Sequence, residues 1–253
     1  HFLREHPHDL LWVIGLSQLV PDRLVSLARY GGVGFHPTML PRGRGRAPVA
    51  WTILLGERAA VNLFFLADQP DAGDIIIQRE VPVMSDDYAE DLIARTNKVL
   101  AEVVMELAPA IKVGELPRTP QDHALATYYP RRTPDDGLVD WSHSTEAIYR
   151  LVRAAGRPYP GAFTYMRRHK VTIWRAQPAS TEETAPHPPN AAPGTILCIR
   201  SPGTMHVQTG DGAIWLTETQ VEGRSDAIDN HYAELFVPGA RFATVTEGEH
   251  CQQ

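Results

Sequence analysis

The sequence predicts an α/β protein with a mainly parallel sheet, followed by a smaller domain of short β-strands. Short continuous apolar runs such as Asp9–Gly15 and Gly32–Phe35 are typical of strands covered on both faces of a parallel sheet. Segments with apolar residues at helical spacing separate these runs. Beyond Pro158 the chain instead alternates short β-like runs with turn signals, which indicates a small barrel or sandwich.

The first half of the chain alternates strands and helices. A helix from Pro21 to Tyr30 connects the first two strands, so that they form a βαβ unit with the expected right-handed crossover. A helix, two strands and a long amphipathic helix then follow at Ala47–Leu55, Ala60–Ala67, Asp74–Val83 and Tyr88 to about Ile111. Ser85 is the predicted N-cap of the long helix.

The character of the chain changes after Gly114, where prolines become frequent. One more helix is predicted at Ser144–Ala155, and Ala179–Pro193 has the composition of an exposed loop. The β-like runs are Ala162–Tyr165, Val171–Trp174, Gly194–Ile199, Met205–Gln208, Ala213–Thr217 and Arg241–Val245. We therefore divide the sequence into a catalytic domain (1–115), a connecting segment (116–160) and a C-terminal β-barrel domain (161–253).

Composition narrows the class of protein. The 253 residues carry a formal net charge of −6, which argues against a nucleic-acid partner because such partners usually leave a basic footprint. Cys198 and Cys251 are far apart and outside any metal-ligand spacing, as expected for reduced thiols of a cytoplasmic protein. No apolar run approaches the ~20 residues of a membrane span. We expect a cytoplasmic protein without a membrane partner.

One loop combines several features of a catalytic site. His36 directly follows a predicted strand, at the position where α/β sheets place their ligands, and Pro37 and Pro41 stiffen the chain after it. Imidazole is suited to proton transfer near neutral pH. We predict that His36 is a general acid or base.

An acidic turn follows further along the chain and contains Asp71 and Asp74. Either carboxylate, if it lay near His36, would raise the pKa of the imidazole and orient the ring. Only parallel neighbouring strands are expected to bring the two groups together. The alternative is that both are ordinary turn residues.

Three arginines, Arg42, Arg44 and Arg46, alternate with glycine just before a predicted helix. Guanidinium groups beside a helix start can bind an anion, and a solvated loop is the alternative. We expect Arg44 and Arg46 to hold anionic groups. Because the Rossmann glycine fingerprint, the Walker loop and Cys/His metal clusters are all missing from the sequence, no metal is expected.

Several ordered segments resemble one enzyme family. The segment His36–Pro48 resembles the signature of the folate-dependent formyltransferases, and Asp71–Ile76 resembles their second motif. Arg131–Asp136 and Pro158–Tyr165 are similar to the amino-sugar branch, notably the formyltransferase domain of the bacterial aminoarabinose enzyme. Methionyl-tRNA formyltransferase is a more distant likeness. The resemblance runs from about Asp9 to Trp174.

This resemblance implies a Rossmann-like catalytic domain followed by a small OB-like barrel. It implies transfer of the formyl group of N10-formyltetrahydrofolate, a cosubstrate, to a primary amine of a nucleotide-linked amino sugar or another small molecule. It also implies that His36 and Asp71 act together in catalysis. The expected cosubstrate pocket lies along Leu16, Gln18, Leu19, Asp68 and Asp71.

Two departures from the family pattern bear on activity. The family has asparagine two residues before the catalytic histidine, where this chain has Gly34, so one donor to the tetrahedral oxyanion is missing. Losing such a donor typically costs ~10²–10³ in rate. Asn62 is one candidate replacement and Gln18 another, while Asn62 facing a helix or solvent is the alternative. The family also has roughly two βαβ units before the equivalent of Asp9, so we expect a partial chain or a segment supplied by another chain.

Several functions stay open on the sequence. The first is N-formylation of an amino sugar, and the second is formylation of methionyl-tRNA, which would need a local basic patch. A catalytically weakened folate-binding module and a formyltetrahydrofolate hydrolase are the others. A homodimer is neither predicted nor excluded.

Overall fold

The fold is described from a computed structural model of the chain, which covers residues 5–6, 8–16, 18–179, 191–223 and 235–243. The chain divides into two compact units, residues 1–132 and 133–253. The helix Thr145–Ala155 lies in the second unit. The domain boundaries derived from the sequence stay a prediction.

The first unit is built around one four-stranded sheet in the order β1-β2-β4-β5. Its strands and two shorter ones are β1 (Leu11–Val13), β2 (Gly32–His36), β3 (Arg44–Gly45), β4 (Ala59–Phe65), β5 (Ile75–Val81) and β6 (Tyr128–Tyr129). The two shorter strands, β3 and β6, pair with each other in parallel. Every residue of β4 is buried, which places this strand at the centre of the core.

The direction of the strands departs in part from expectation. The α/β class is confirmed, and β1 and β2 are parallel, as predicted for the βαβ unit. In contrast, β2 pairs with β4 and β4 pairs with β5 in antiparallel fashion. The sheet of the described chain is therefore mixed rather than mainly parallel. The loop 66–74 between β4 and β5 is too short for a parallel crossover, which needs a dozen or more residues.

Three helices of the first unit lie where the sequence predicts them, but the first has four residues instead of the predicted Pro21–Tyr30. They are Asp22–Val25, Pro48–Leu55 and Ala89–Val113. Proline begins the second of these helices, and glycines in the left-handed conformation, Gly56 and Gly114, end the second and third. No helix in the described residues is long and apolar enough to cross a membrane.

The long helix begins later than the predicted cap. Its N-cap is Tyr88, whose backbone N–H donates to the Asp91 carboxylate at 2.9 Å, so Ser85 does not cap it. The residues just before it form a turn, in which the Met84 N–H donates to the Asp87 carboxylate at 2.8 Å. Polar bonding in this turn thus keeps Ser85 outside the helix.

The second unit contains a five-stranded antiparallel sheet in the order β7-β8-β11-β10-β9. Its strands are β7 (Ala162–Met166), β8 (His169–Pro178), β9 (Ile196–Ser201), β10 (Thr204–Gln208) and β11 (Ala213–Val221). The predicted run at Arg241–Val245 reduces to one bridge between Arg241 and Thr195, and its last two residues lie outside the described chain. Most of the predicted loop at 179–193 also lies outside the described chain. Closure of this sheet into an OB-like barrel stays a prediction.

Candidate active site

His36 is the last residue of β2 and is only 4% exposed. Its Nε2 lies 2.7 Å from the carbonyl oxygen of Gly43. Because a carbonyl oxygen only accepts, Nε2 carries a proton and donates it. In the neutral ring, Nδ1 is therefore the free basic nitrogen, and it lies 3.5 Å from Oδ2 of Asp71.

The environment of His36 sets its protonation state. Burial lowers the pKa of the imidazole, while the Asp71 carboxylate and the Gly43 carbonyl act in the opposite direction, with burial the larger effect. The neutral ring is thus the favoured form near neutral pH. A neutral Nδ1 beside a carboxylate can accept a proton and is stabilised once charged.

Asp71 reaches His36 through the shape of a loop. The loop 66–74 leaves β4 and closes back on it, because the Phe65 N–H donates to the Asp74 carbonyl at 2.9 Å. At Gly73 a Cβ atom would lie 1.7 Å from the carbonyl oxygen of Phe65, so only glycine fits this approach. Asp71 itself has a left-handed φ of 54°.

The pairing of His36 with Asp71 is therefore as predicted, but its cause is different. Parallel neighbouring strands were expected to bring the two residues together, whereas β2 and β4 are antiparallel. The loop carries the carboxylate to the histidine instead. The Gly45 N–H then donates to Asp71 Oδ2 at 2.9 Å and fixes the oxygen that faces the ring.

The space at Gly34, where the family asparagine is expected, is filled by apolar groups. A Cβ atom built on Gly34 would lie 2.8 Å from the Phe64 ring and 2.9 Å from a methyl group of Leu66. Both distances are shorter than real Cβ contacts allow. The site therefore has neither a donor at this position nor room for one in this conformation.

Asn62 does not replace the missing donor, which corrects the prediction. Its side chain is fully buried, and Nδ2 donates to the backbone carbonyls of His36, at 2.8 Å, and of Thr38. Its Oδ1 accepts a hydrogen bond from Gln78 Nε2 at 2.7 Å. Both amide hydrogens are thus used within the protein. Antiparallel register places Asn62 opposite His36, where it braces the loop rather than facing a ligand.

Arg44, which was predicted to bind an anionic ligand, makes contacts within the protein, and its anion-binding role stays a prediction. Its side chain is 0% exposed because the pairing of β3 with β6 turns it inward. Nη1 donates to the Tyr128 hydroxyl at 3.1 Å, and Nη2 lies 2.7 Å from Gln121 Oε1 and 3.3 Å from His123 Nδ1. Arg46 is exposed, and its anion-binding role stays a prediction.

A cavity of about 700 Å³ opens beside the Asp71 loop. This volume is within the usual range for small-molecule sites. One wall is formed by residues 65–69 and 72–74, and the other by Arg44, Arg118, His123, Ala126 and Tyr128. The Arg118 guanidinium stacks 3.5 Å from the centre of the Phe65 ring and lies 3.5 Å from an Asp74 oxygen. The cavity thus combines aromatic and charged surfaces. His36 and Asp71 are not among the residues that line it, and it meets the loop of Asp71 at Ala72 and Gly73.

The predicted cosubstrate residues divide into two groups. Asp68 lines the cavity, and its side chain hydrogen-bonds Asp22, which raises the pKa of the Asp22 carboxyl. Leu16, Gln18 and Leu19 are exposed and are not among the residues that line this cavity. Their part in cosubstrate binding, and that of Gln18 as a substitute donor, stays a prediction. Within the described ranges, no group of three or more His, Cys, Asp or Glu side chains could hold a metal ion.

Two glutamines of the site were missed by the sequence analysis. Gln78 Nε2 donates to the Leu40 carbonyl at 2.9 Å as well as to Asn62. Gln121 Nε2 donates to the carbonyls of Asp71, at 2.9 Å, and Gly73, at 2.7 Å. Neither glutamine belongs to a sequence pattern with a known chemical role, so their contacts became visible only in three dimensions.

The chain matches two sequence profiles of one family. Residues 1–107 match the profile described as "Formyl transferase", and residues 131–230 match "Formyl transferase, C-terminal domain". Together the two matches cover most of the sequence and both units of the structure. The chain belongs to the formyl transferase family, as the resemblance of its motifs indicated.

Solved structures share this fold. HypX from Aquifex aeolicus in complex with tetrahydrofolic acid is 24% identical, with a TM-score of 0.67 over 85% of this chain. The match covers 36% of HypX, so this chain spans about a third of that protein. Methionyl-tRNA formyltransferase from Clostridium thermocellum is also 24% identical, with a TM-score of 0.57, over 66% of this chain and 71% of its own. A 4-N formyltransferase from Francisella tularensis is 23% identical, with a TM-score of 0.55, over 61% and 64%.

Proposed function

We propose that this chain transfers a formyl group from N10-formyltetrahydrofolate to a primary amine, with His36 and Asp71 as the reacting pair. The observation that carries the proposal is the buried Nδ1 of His36, 3.5 Å from an Asp71 oxygen. The next residues of the same loop, Ala72 and Gly73, line the cavity of about 700 Å³. Family membership and the HypX complex with tetrahydrofolic acid support the choice of cosubstrate.

In the proposed reaction the amine nitrogen attacks the formyl carbon, and the C=O bond opens to a tetrahedral oxyanion. The attacking nitrogen then loses a proton to His36, and Asp71 stabilises the imidazolium that forms. When the bond between carbon and N10 breaks, the histidine returns the proton to N10. No proton is gained or lost overall, and the histidine ends neutral, in its favoured form.

The oxyanion lacks the side-chain donor of the family pattern, since Phe64 and Leu66 occupy the space at Gly34. Removing one such donor typically lowers the rate by ~10²–10³. The imidazolium of His36 then provides most of the compensating charge. We therefore propose an enzyme that turns over slowly for its family.

For the acceptor we propose an amino sugar, most simply one linked to a nucleotide. The segments Arg131–Asp136 and Pro158–Tyr165, which are similar to the amino-sugar branch, support this choice. The net charge of −6 argues against methionyl-tRNA, whose phosphates would require a basic surface.

The test incubates the purified chain with 10-formyltetrahydrofolate and a panel of amines, and follows tetrahydrofolate and formyl products. Formylated nucleotide amino sugar is the expected product. Formylated methionyl-tRNA would replace the proposed acceptor, and formate alone would show hydrolysis. Turnover that is unchanged in Asp71→Asn would contradict the reacting pair.

A folate-binding module without transfer activity is a second candidate, favoured by the apolar filling at Gly34. Calorimetry with tetrahydrofolate distinguishes it from the enzyme. Binding without turnover of any amine would support the module. Absence of both binding and turnover would contradict both candidates.

A further inference from the structure

Asp71 adopts a backbone conformation that other parts of the protein must maintain. Its φ of 54° lies in the left-handed region, which is unfavourable for a residue with a side chain. The side chain is 18% exposed, so burial alone does not fix it. A carboxylate that must face an imidazole from a loop therefore requires support beyond its neighbours in sequence.

Gln121 supplies such support from far along the chain. Gln121 is 7% exposed, and its Nε2 donates to the carbonyl of Asp71 at 2.9 Å and to that of Gly73 at 2.7 Å. The two carbonyls lie on either side of Ala72. One amide group thus clamps the part of the loop that carries the carboxylate.

Arg44 determines which way this amide points. Its Nη2 donates to Gln121 Oε1 at 2.7 Å, and in the described residues no carboxylate forms an ion pair with this guanidinium. If the amide were flipped, its NH₂ would meet a cationic donor and its oxygen would meet two carbonyl oxygens. The charged donor also strengthens the hydrogen bond that it makes.

The backbone next to Arg44 forms a hydrogen bond with the Asp71 carboxylate. Gly45 N–H donates to Asp71 Oδ2 at 2.9 Å, and β3 is paired with β6, a few residues beyond Gln121. One connected set of hydrogen bonds therefore surrounds Asp71, and it is formed by Arg44, Gly45 and Gln121. Gly45 holds the carboxylate itself, while Gln121 holds the backbone beneath it.

We propose that Gln121, oriented by the buried Arg44, is a positioning residue that keeps the Asp71 carboxylate against His36. The proposal rests on the proposed function for its effect on turnover. It does not require activity for its effect on His36. A displaced Asp71 no longer raises the pKa of the imidazole, and this change is measurable in the protein without substrate.

The test uses Gln121→Met, which keeps the length and neutrality of the side chain but removes both donors. Gln121→Asn, which keeps the amide but shortens its reach, is the second variant. The exposed Gln177, on β8 of the second unit, gives the matched control Gln177→Met. Each protein is titrated by NMR at His36 and assayed for formyl transfer.

In both Gln121 variants the pKa of His36 should fall by roughly half a unit or more, while it is unchanged in Gln177→Met. Turnover should fall ~10–100-fold with little change in the KM for the cosubstrate, since a misplacement of about 1 Å is enough for such a loss. A folded Gln121→Met with the pKa of His36 unchanged would overturn the proposal. Failure of both variants to fold would also overturn it, because Gln121 would then serve folding rather than positioning. If the pKa falls but the unsubstituted chain transfers no formyl group, the proposed function fails and the positioning role stands.

Discussion

The two members of the reacting pair are held by different means, although their side chains lie 3.5 Å apart. His36 ends a central strand and is 4% exposed, and the buried amide of Asn62 bonds its backbone carbonyl. Asp71 lies in a loop, and hydrogen bonds from Gly45 and Gln121 hold it.

We therefore expect the contacts of His36 and those of Asp71 to contribute differently to folding stability and to turnover. The support of His36 is part of the core, so damage there should cost folding free energy as well as activity. The support of Asp71 is a set of polar contacts at the edge of a cavity, so damage there should act mainly on turnover. The following predictions compare these two regions, beginning with the largest expected effect.

Removing the imidazole should have the largest effect. We expect His36→Gln to lower turnover ~10²–10⁴-fold, since a positioned acid–base group contributes about that much. The variant keeps a donor for the Gly43 carbonyl, so tetrahydrofolate binding measured by calorimetry should change little. Turnover within threefold of the unsubstituted chain would show that another residue moves the proton.

Removing the side chain of Asn62, which hydrogen-bonds the backbone carbonyl of His36, should mainly lower the stability of the fold. Asn62→Ala removes a buried donor from the carbonyls of His36 and Thr38 and a buried acceptor from the amide of Gln78. We expect the free energy of unfolding in urea to fall by about 1–3 kcal/mol. Gln121→Met provides the comparison and should lose more turnover for a given loss of stability. The reverse order would contradict the division between the two regions.

Filling the space at Gly34 should strain the same core. In Gly34→Ala the new methyl group would lie 2.8 Å from the Phe64 ring and 2.9 Å from Leu66. Overpacking of this kind typically costs about 1–3 kcal/mol, which thermal unfolding would detect as a lower Tm. Combining it with Leu66→Ala, which makes room, should reduce the loss. An unchanged Tm in the single variant would show that the neighbouring side chains move aside freely.

The smallest predicted effect is on the pH dependence of stability. Burial holds the pKa of His36 below its ordinary value of 6.5, so the unfolded chain binds this proton more readily than the folded chain. The neutral ring of His36 therefore contributes to the free energy of unfolding. This contribution is fully present above pH 6.5 and is lost as the pH falls through the lower pKa of the folded state. Urea unfolding of His36→Gln between pH 5 and 8 should lack this component. An identical pH profile in both proteins would contradict the direction of the shift.

Much of the fold could be predicted from local patterns. The helix at Pro48–Leu55, the long helix ending at Gly114 and the strand β4 correspond to proline, glycine and apolar signals that act within a few residues. The direction of β4 could not be predicted, because an apolar run is the same whether its neighbour is parallel or antiparallel. Its pairing depends on contacts with distant strands.

The site shows the same division between local and distant information. The sequence by itself determined the chemical groups: the imidazole after β2, the carboxylate at Asp71 and the absence of a side chain at Gly34. The tertiary structure decided what surrounds them. It showed that Phe64 and Leu66 fill the gap at Gly34, and that Asn62 serves the backbone.

Arg44 and Gln121 are the clearest examples of what only the tertiary structure decided. As a sequence feature, Arg44 indicated an anion site, yet the pairing of β3 with β6 buries it against an amide 77 residues away. Side-chain chemistry is carried by each residue, but its partner is set by which segments the fold brings together. The residues of the proposed reaction could therefore be named from the sequence, whereas the contacts that hold them could not.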